Sequence, residues 1–281
     1  MTLPDMKKIR QQVQNVLDED IGSGDLTAEL LPASQISEAA VICRETAVIA
    51  GCVWFEQSFL LLDPSIEIKW QVKDGQKVEP NATVATLRGP SRALLSAERS
   101  ALNFLQTLSG TATRVALYVD AVKPHPVRIL DTRKSLPGLR EAQKYAVTCG
   151  GGSNHRFGLW DMILIKENHI LSAGSVKQAI EKAHQLHPEV ELEIEVETLQ
   201  ELEEALTAGA KRILLDNMKP DTLRQAVELN QSRARLEASG GITLNNIREI
   251  AATGVDDISL GVLTKDVTSI DFSMRIYSIA N

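Results

Sequence analysis

The stretch LEIEVETLQELEEALTAGAKRILLD, residues 192–216, contains the repeating unit that decides the fold. A short apolar strand (192–196) is followed by an amphipathic helix (198–208) and by a second apolar strand (212–216). Two largely apolar strands joined by a helix indicate a parallel sheet that is covered on both faces. The same unit recurs on both sides of this stretch.

The neighbouring strands and helices extend the pattern over the second half of the chain. The further strands are VRILD (127–131), MILIK (162–166), RLEAS (235–239) and DISLG (257–261), the further helices are 139–148, 175–186, 220–230 and 243–253, and one more strand near 114–122 is ambiguous. Because no dinucleotide-binding glycine fingerprint follows the first strand, an open dinucleotide-binding sheet is disfavoured. We predict an α/β protein whose catalytic domain, residues 113–265, is an irregular, incomplete β/α barrel.

Residues 1–112 predict a second, smaller α+β domain. Apolar stripes indicate helices over 6–17 and from Ser91 to about Leu108, and the residues between them contain short strands separated by turns. This β-rich part is similar to a biotin or lipoyl carrier, but no modifiable Lys stands at a hairpin tip, so we interpret it as scaffold. We expect residues 266–281 to join this N-terminal α+β sandwich domain.

The bulk composition narrows the classes of protein. The 281 residues carry a net charge of −7, which disfavours a general nucleic-acid binder because phosphate-backbone affinity comes from dispersed Lys and Arg. The three cysteines form no Cys-x-x-Cys pair, which indicates reduced thiols. No apolar run is long enough to cross a bilayer. We expect a cytoplasmic protein that binds neither nucleic acid nor membrane.

Polar or glycine residues stand at the end of every predicted barrel strand. In a parallel barrel the catalytic groups gather at the carboxyl ends of the strands. Taken strand by strand, these residues are Thr132, Arg133 and Lys134, then Lys166, Glu195, Asp216, then Ser239, Gly240 and Gly241, and finally Gly261. We therefore predict one site at one rim of the barrel.

The charge along residues 128–166 points to an anionic substrate. This segment contains seven Lys or Arg residues and three acidic ones, although the whole chain is acidic. Arg side chains hold carboxylates through two parallel hydrogen bonds, so several cations in one site match a substrate with more than one carboxylate. We place Arg133, His155, Arg156 and Lys166 on this side of the site. For Arg140 and Lys144 we prefer surface ion pairs.

The remaining strand ends predict phosphate and metal binding. The glycine pair of SGGIT follows the fifth strand and precedes a helix that we start near Leu244, which is the usual phosphate cradle of such barrels. Glu195 and Asp216 suggest Mg²⁺, which uses one or two carboxylates together with substrate oxygens. The spacing alone does not choose among the alternating residues Glu191, Glu193, Glu195 and Glu197. We interpret Cys149 as a packed thiol.

The motif DTRKSLPGLREAQKYAV, followed by CGGG, NHR and LIKENH, resembles the quinolinate phosphoribosyltransferase family. The likeness continues through EDIGSGDLT, SAERSALNFLQ, IEVE, LLDN, EASGGI and GVDDISLG, and so covers nearly the whole chain. The resemblance implies transfer of a phosphoribosyl group from phosphoribosyl pyrophosphate to quinolinate with decarboxylation, giving nicotinate mononucleotide, pyrophosphate and CO₂. It also implies Mg²⁺ as the cofactor and a step of de novo NAD synthesis.

The resemblance also implies roles for individual residues. Lys166, Glu195 and Asp216 would be catalytic, and Glu195 and Asp216 would meet the ribose hydroxyls and the metal, partly through substrate or water. The expected substrate-binding residues are Arg133, His155, Arg156 and Lys166 for the two pyridine carboxylates, Thr132 and Lys134 for the phosphoribosyl donor, and Ser239, Gly240, Gly241 and Gly261 for the 5′-phosphate. Arg99 would reach the active site of the partner in a homodimer; whether dimers assemble into a hexamer stays open.

Three alternatives remain at this point. A paralogue with the same fold, like the molybdenum-transport-associated homologues, would act on another anionic ring. A Schiff-base aldolase would use Lys166, because a Lys at the end of a barrel strand can be a nucleophile. A non-enzymatic binding module would rest on the β-rich N-terminal part.

Overall fold

The computed structural model of the chain describes residues 2–280. The strands are β1 (Ile36–Cys43), β2 (Ala47–Val48), β3 (Glu67–Trp70), β4 (Lys77–Val78), β5 (Ala82–Pro90), β6 (Arg128–Leu130), β7 (Ile163–Ile165), β8 (Leu192–Val196), β9 (Arg212–Asp216), β10 (Arg235–Ser239), β11 (Asp257–Ser259) and β12 (Phe272–Ala280). The α-helices are α1 (Met6–Ile21), α2 (Cys52–Leu60), α3 (Ser91–Ala121), α4 (Arg140–Cys149), α5 (Glu167–Ala173), α6 (Val176–Leu186), α7 (Leu199–Thr207), α8 (Pro220–Asn230), α9 (Ile247–Ala251) and α10 (Val262–Lys265). A 3₁₀ turn covers Ala28–Leu30.

The chain forms two compact units. The first comprises Met1–Ala116, Leu136–Gly151 and Asp266–Asn281, and the second comprises Leu117–Ser135 and Gly152–Lys265. The first unit therefore includes α4, which our prediction assigned to the barrel domain 113–265. It also includes the C-terminal segment with β12.

The first unit is an antiparallel sheet packed against helices. Its sheet has the strand order β12-β1-β5-β3, and β1 buries every second residue, as expected for a strand with one face on a core. Two clusters of buried side chains fill the unit. One joins the sheet to α2 and the first half of α3, and the other joins α1, α2, α3 and α4.

Helix α3 corrects the ambiguous strand near 114–122. The helix is 31 residues long and runs through that segment to Ala121. Ala112, Val115 and Tyr118 are buried at intervals of three residues, which is the spacing of one helical face. The sequence alone left this segment ambiguous, and burial of one helical face favours the helix.

The second unit is the predicted open barrel. Its six strands are all parallel, in the order β6-β11-β10-β9-β8-β7. Strands β6 and β7 are the two ends of this sheet, and Ser153 forms a parallel bridge with Leu130 of β6 where a further strand would complete a closed barrel. The predicted fold class, an irregular and incomplete β/α barrel beside a smaller α+β unit, is confirmed.

The barrel helices begin where local sequence signals place them. Thr198 caps α7, its hydroxyl accepting from the Glu201 amide at 3.1 Å while the Glu201 carboxylate accepts from the Thr198 amide at 3.1 Å. The Ser175 hydroxyl caps α6 by accepting from the Gln178 amide at 3.2 Å, and Pro220 opens α8. These caps fix where each loop at the strand ends meets its helix.

Lys144 contradicts the surface ion pairing that we preferred for it. Helix α4 buries this side chain completely, with a relative exposure of 0%. The residues from Ala142 to Val147 are all buried, so this part of α4 has no solvated side, although the sequence alone suggested a solvated position for Lys144. Cys149 at the end of the same helix is also buried, and burial raises the pKa of its thiol to about 12.

Candidate active site

Side chains at the ends of adjacent strands meet at the carboxyl rim of the barrel. Lys166 follows β7, Glu195 lies near the end of β8, and Asp216 ends β9. The Lys166 ammonium donates to the Glu195 carboxylate in a direct ion pair. The Glu195 side chain is only 13% exposed, so this pair is partly shielded from water.

The carboxylate of Asp216 is affected by the charges of both Glu195 and Lys166. Burial and the charge of Glu195 raise its pKa above the ordinary value. The positive charges of Lys166 and Lys134 act on it in the opposite direction. The pKa of Asp216 thus depends on one further acid, Glu195, and on two cations, Lys166 and Lys134, and these three residues lie near the ends of three other strands.

Asn217 connects Asp216 to the glycine turn after β10. Its side-chain amide donates to Asp216 Oδ2 at 2.7 Å, and its backbone N–H donates to the Ser239 carbonyl at 2.9 Å. Gly240 lies against it: a Cβ added to Gly240 would stand 2.1 Å from Asn217 Oδ1. Gly240 and Gly241 both have positive φ, +93° and +61°, so the turn exposes backbone without side chains.

The helix after this turn starts later than predicted. We placed its first residue near Leu244, whereas α9 begins at Ile247 and is five residues long. The Asn246 side chain instead closes a turn by accepting from the Thr243 amide at 2.7 Å and donating to the Gly241 carbonyl at 3.2 Å. The candidate phosphate cradle is therefore the two-glycine turn itself.

The loop after β6 lies beside Gly261. The Lys134 amide donates to Thr132 Oγ1 at 3.1 Å, and the Lys134 carbonyl accepts from Thr264 Oγ1 at 2.7 Å. A Cβ on Gly261 would come within 2.8 Å of Lys134 Cδ. Gly261 therefore gives Lys134 the space to pass over the end of β11.

Arg133 and Arg156 form the cationic side of the rim. Burial and the charge of Arg133 lower the pKa of Arg156, so the positive charge of one guanidinium acts on the other. Arg156 Nη1 donates to the Met162 carbonyl at 3.0 Å, which fixes the position of its head group. Two adjacent guanidinium groups of like charge are a suitable site for a dianion.

His155 points into the interior of the barrel. Its Nε2 lies 2.8 Å from Glu193 Oε2 and 3.5 Å from Glu237 Oε1, and only 7% of its side chain is exposed. Arg212 bridges the same two carboxylates, with Nε 2.9 Å from Glu193 and Nη2 2.8 Å from Glu237. Glu193 is one of the alternating residues among which the spacing does not choose, and the sequence did not predict a role for Arg212 or Glu237. A charged residue in the middle of a buried strand was the available signal.

Two groups of residues have donor atoms suited to a metal ion. His155, Glu193 and Glu237 lie within 4.8 Å of one another, but Arg212 already bonds to both of these carboxylates. Glu195 and Asp216 at the rim offer the oxygen ligands that Mg²⁺ prefers. The negative charge of Glu195 raises the pKa of the Asp216 carboxyl. A cation bound between the two carboxylates would offset this repulsion.

Arg99 stands apart from the other predicted site residues. It is an exposed residue of α3 in the first unit, whereas the others all belong to the second unit.

No helix among residues 2–280 combines the length and the apolar character needed to span a membrane.

Comparisons with known proteins agree along the whole chain. Residues 111–275 match the family model described as the C-terminal domain of quinolinate phosphoribosyl transferase, and residues 25–109 match the model of its N-terminal domain. A Bacillus subtilis protein described as a probable carboxylating nicotinate-nucleotide pyrophosphorylase is 43% identical over 270 residues, covering 96% of this chain and 93% of that protein. A decarboxylating quinolinate phosphoribosyltransferase of Nicotiana tabacum is 39% identical and covers 94% and 81%.

Solved structures give the same result. The nicotinate-nucleotide pyrophosphorylase from Francisella tularensis superimposes with a TM-score of 0.95, at 43% identity, over 98% of each chain. This similarity extends over both units of the chain.

Proposed function

This chain belongs to the quinolinate phosphoribosyltransferase family, and we propose that it transfers the phosphoribosyl group of phosphoribosyl pyrophosphate to quinolinate. The products are nicotinate mononucleotide, pyrophosphate and CO₂, and the reaction is a step of NAD synthesis. The observation that carries the proposal is the match of both family domains over residues 25–109 and 111–275. The groups at the barrel rim are those that this chemistry needs.

Binding of quinolinate is supported by the paired guanidinium groups. Arg133 and Arg156 lie close enough for their charges to interact, and Lys166 adds an ammonium group at the neighbouring strand end. Quinolinate carries two carboxylates on adjacent ring carbons, so two forked donors can hold both and orient the ring.

Binding of the phosphoribosyl donor is supported by the opposite side of the rim. The turn of Gly240 and Gly241 offers backbone at close range to a 5′-phosphate, and Ser239 precedes it. Lys134 lies beside Gly261, and the positive charge of its ammonium acts on the Asp216 carboxylate. Thr132, whose hydroxyl accepts from the Lys134 amide, holds this loop in place.

The carboxylates fit the charge that develops during transfer. As the bond from ribose C1 to pyrophosphate breaks, positive charge grows on the ribose ring, and Glu195 and Asp216 stabilise it. The pyridine nitrogen forms the new bond to C1. The resulting pyridinium withdraws electrons, so the C2 carboxylate can leave as CO₂ and the ring carbon then takes up a proton.

We propose Mg²⁺ as the cofactor, supported by the chemistry of the donor. Magnesium commonly binds through one or two carboxylates together with phosphate oxygens, and Glu195 and Asp216 would supply the former. When bound, the ion neutralises the charge that builds on the departing pyrophosphate.

We also propose a homodimer in which Arg99 of one subunit completes the site of the other, acting in the cytoplasm. Arg99 is exposed on α3 and is free of the packed interior of its own unit. The three cysteines are buried and unoxidised.

A Schiff-base aldolase is the candidate from another reaction class. Imine formation needs a neutral amine as nucleophile, whereas Lys166 forms an ion pair with Glu195. Borohydride reduction in the presence of a carbonyl substrate would leave an adduct on Lys166 if the aldolase were correct.

A turnover assay tests the proposed function. The purified chain is incubated with the phosphoribosyl donor and Mg²⁺, and either quinolinate or nicotinate is supplied. We expect nicotinate mononucleotide and CO₂ in equal amounts from quinolinate, at a rate far above that with nicotinate. Preference for nicotinate or for another anionic ring would favour the paralogue and contradict the substrate assignment.

A further inference from the structure

A layer of charged side chains lies inside the barrel, below the rim. Glu193 on β8 and Glu237 on β10 have an exposure of 0%, and Arg212 on β9 is 13% exposed at its side chain. The Arg212 guanidinium bonds to one oxygen of each carboxylate, at 2.9 and 2.8 Å. The other oxygen of each carboxylate faces His155 Nε2. Glu193, Arg212 and Glu237 therefore surround this end of the His155 ring.

Both ring nitrogens of His155 are engaged within the protein. Nε2 faces Glu193 at 2.8 Å, and Nδ1 accepts the backbone N–H of Arg156 at 2.7 Å. The backbone N–H of His155 donates in turn to Asp131 Oδ1 at 3.0 Å. This geometry corresponds to a ring with its proton on Nε2 and its lone pair on Nδ1. A direct bond from this ring to a substrate carboxylate would require it to give up one of these partners.

Arg156 is the residue at which this chain of bonds reaches the rim. Its backbone is held by His155, and its head group is held by the Met162 carbonyl at 3.0 Å. Fixing both ends of an Arg side chain removes most of its rotational freedom before the substrate arrives, which improves binding because less entropy is lost.

We propose that Glu193, Arg212 and Glu237 are positioning residues that act through His155 to hold Arg156 for quinolinate. On this view His155 is itself a positioning residue and not a ligand of the substrate. The proposal rests on the proposed function, since it assigns these residues to the quinolinate side of that same site. It also explains why charged groups occupy the barrel interior: two carboxylates fixed by one guanidinium, at 2.8 and 3.5 Å from Nε2, hold the polar ring in one orientation, as apolar packing does not.

The charge of Arg212 offsets the negative charge of the two buried carboxylates, Glu193 and Glu237. The 2.8 Å contact with His155 and the hydrogen bond from Arg212 outweigh the burial of Glu193 and lower the pKa of its carboxyl. Burial and the charge of Glu193 raise the pKa of Glu237 to about 7. One carboxylate is thus firmly ionised and paired, and the other readily holds a proton.

The test uses the full chain and separate Michaelis constants for the two substrates. For Glu193→Gln we expect the KM for quinolinate to rise by about tenfold, the KM for the phosphoribosyl donor to stay within about twofold, and kcat to change less than the quinolinate KM. Glu181→Gln, which alters a 61% exposed carboxylate on α6, is the matched control and should leave all three unchanged. An unchanged quinolinate KM in Glu193→Gln would overturn the proposal.

A double variant distinguishes positioning from direct contact. Asn can place an oxygen near the position of the His155 Nδ1 acceptor, but it cannot reach Glu193. If both residues act in series, Glu193→Gln added to His155→Asn should raise the quinolinate KM by less than about twofold beyond His155→Asn alone. If the two effects multiply, His155 contacts the substrate itself and the proposal is wrong.

Two further measurements keep the outcome decisive. Glu237→Gln resembles the protonated form of that side chain, so it should fold even if Glu193→Gln does not, and we expect about a threefold rise in the quinolinate KM; no rise would overturn the proposal. If the unaltered chain forms no nicotinate mononucleotide, the proposed function has failed. If it does so and the variants behave like it, only the positioning role has failed.

Discussion

Replacing Gly240 with Ala should separate backbone strain from damage to the active site. Gly240 has φ +93°, and the new Cβ would stand 2.1 Å from Asn217 Oδ1 and 2.6 Å from its Cγ. To reach ordinary contact at 3.4 Å, the Asn217 side chain must move away. It would then lose its 2.7 Å bond to Asp216 and release that carboxylate from its fixed position.

Gly254 offers a matched control because its backbone conformation is the same. Its φ is also +93°, but a Cβ there would meet Val227 at 3.4 Å, which is ordinary contact. An Ala side chain in this conformation costs about 1–2 kcal/mol at either position. The two variants should therefore lose similar stability, as measured by urea unfolding, apart from the added crowding at Gly240.

Only Gly240→Ala should lose activity strongly. A displacement of about 1 Å in a catalytic group can cost about 100-fold in rate, which corresponds to about 2.7 kcal/mol of transition-state stabilisation. We expect kcat/KM for nicotinate mononucleotide formation to fall by about that factor in Gly240→Ala and to stay within about twofold in Gly254→Ala. If Gly240→Ala kept kcat/KM within about threefold, the link from this turn through Asn217 to Asp216 would be refuted.

The other predictions concern Lys166, the metal ion and the buried carboxylate of Asp257. Lys166→Ala should lower kcat/KM by at least about 100-fold, because it removes an ammonium group and leaves Glu195 without its counter-ion, whereas Lys177→Ala, at a 70% exposed side chain, should match the unaltered chain in the same assay. Chelation by EDTA should abolish product formation and added Mg²⁺ should restore it; full activity in EDTA would contradict the metal assignment. Asp257 is buried beneath two Arg side chains whose hydrogen bonds outweigh its burial and lower its pKa, so its contribution to stability is present above the ordinary Asp pKa and is lost as the pH falls towards the lowered value. Because those Arg side chains are 48% and 39% exposed, we reduce the usual cost of breaking a buried pair and expect Asp257→Asn to cost about 2–3 kcal/mol at pH 7; urea unfolding should show this difference shrinking below about pH 4, and Asp120→Asn in the exposed pair with Lys123 should show none.

The sequence predicted the barrel because its strands carry a strong local signal. Strands 192–196, 212–216 and 235–239 have the predicted bounds in the structure, since each is a buried run with turn or capping residues at both ends. The rim followed from the rule that catalytic groups gather at the carboxyl ends of parallel strands. The pairing of Lys166 with Glu195 is a direct consequence of two adjacent strand ends.

The features that sequence reasoning did not reach depend on contacts between distant residues. The pairing of Glu193 with a buried cation, in addition to that of Glu195 with Lys166, was not visible until Arg212 and His155 were located beside Glu193. The triple glycine was noticed only as a motif. In the structure a Cβ on Gly150 would lie 2.4 Å from the carbonyl oxygen of Ala112, so at least this glycine serves the close packing of two helices.

The bounds of two helices, α3 and α9, also differ from those that the local sequence pattern predicted. Residues 114–122 were ambiguous in sequence, and burial of one helical face, at Val115 and Tyr118, accompanies the helix that the structure forms there. Similarly, the predicted helix over 243–253 was shortened to Ile247–Ala251, because Asn246 satisfies the preceding turn with its side chain. Both differences arise where tertiary contacts compete with a local preference.

The location of bound quinolinate is the decisive observation for the proposed site. Crystals of the protein soaked with quinolinate would show where the two carboxylates lie. We predict that both lie at the carboxyl rim of the barrel, within hydrogen-bond distance of Arg133, Arg156 or Lys166, with the ring nitrogen facing Glu195 and Asp216. Quinolinate bound at any other surface, or oriented with its nitrogen away from these carboxylates, would contradict the account.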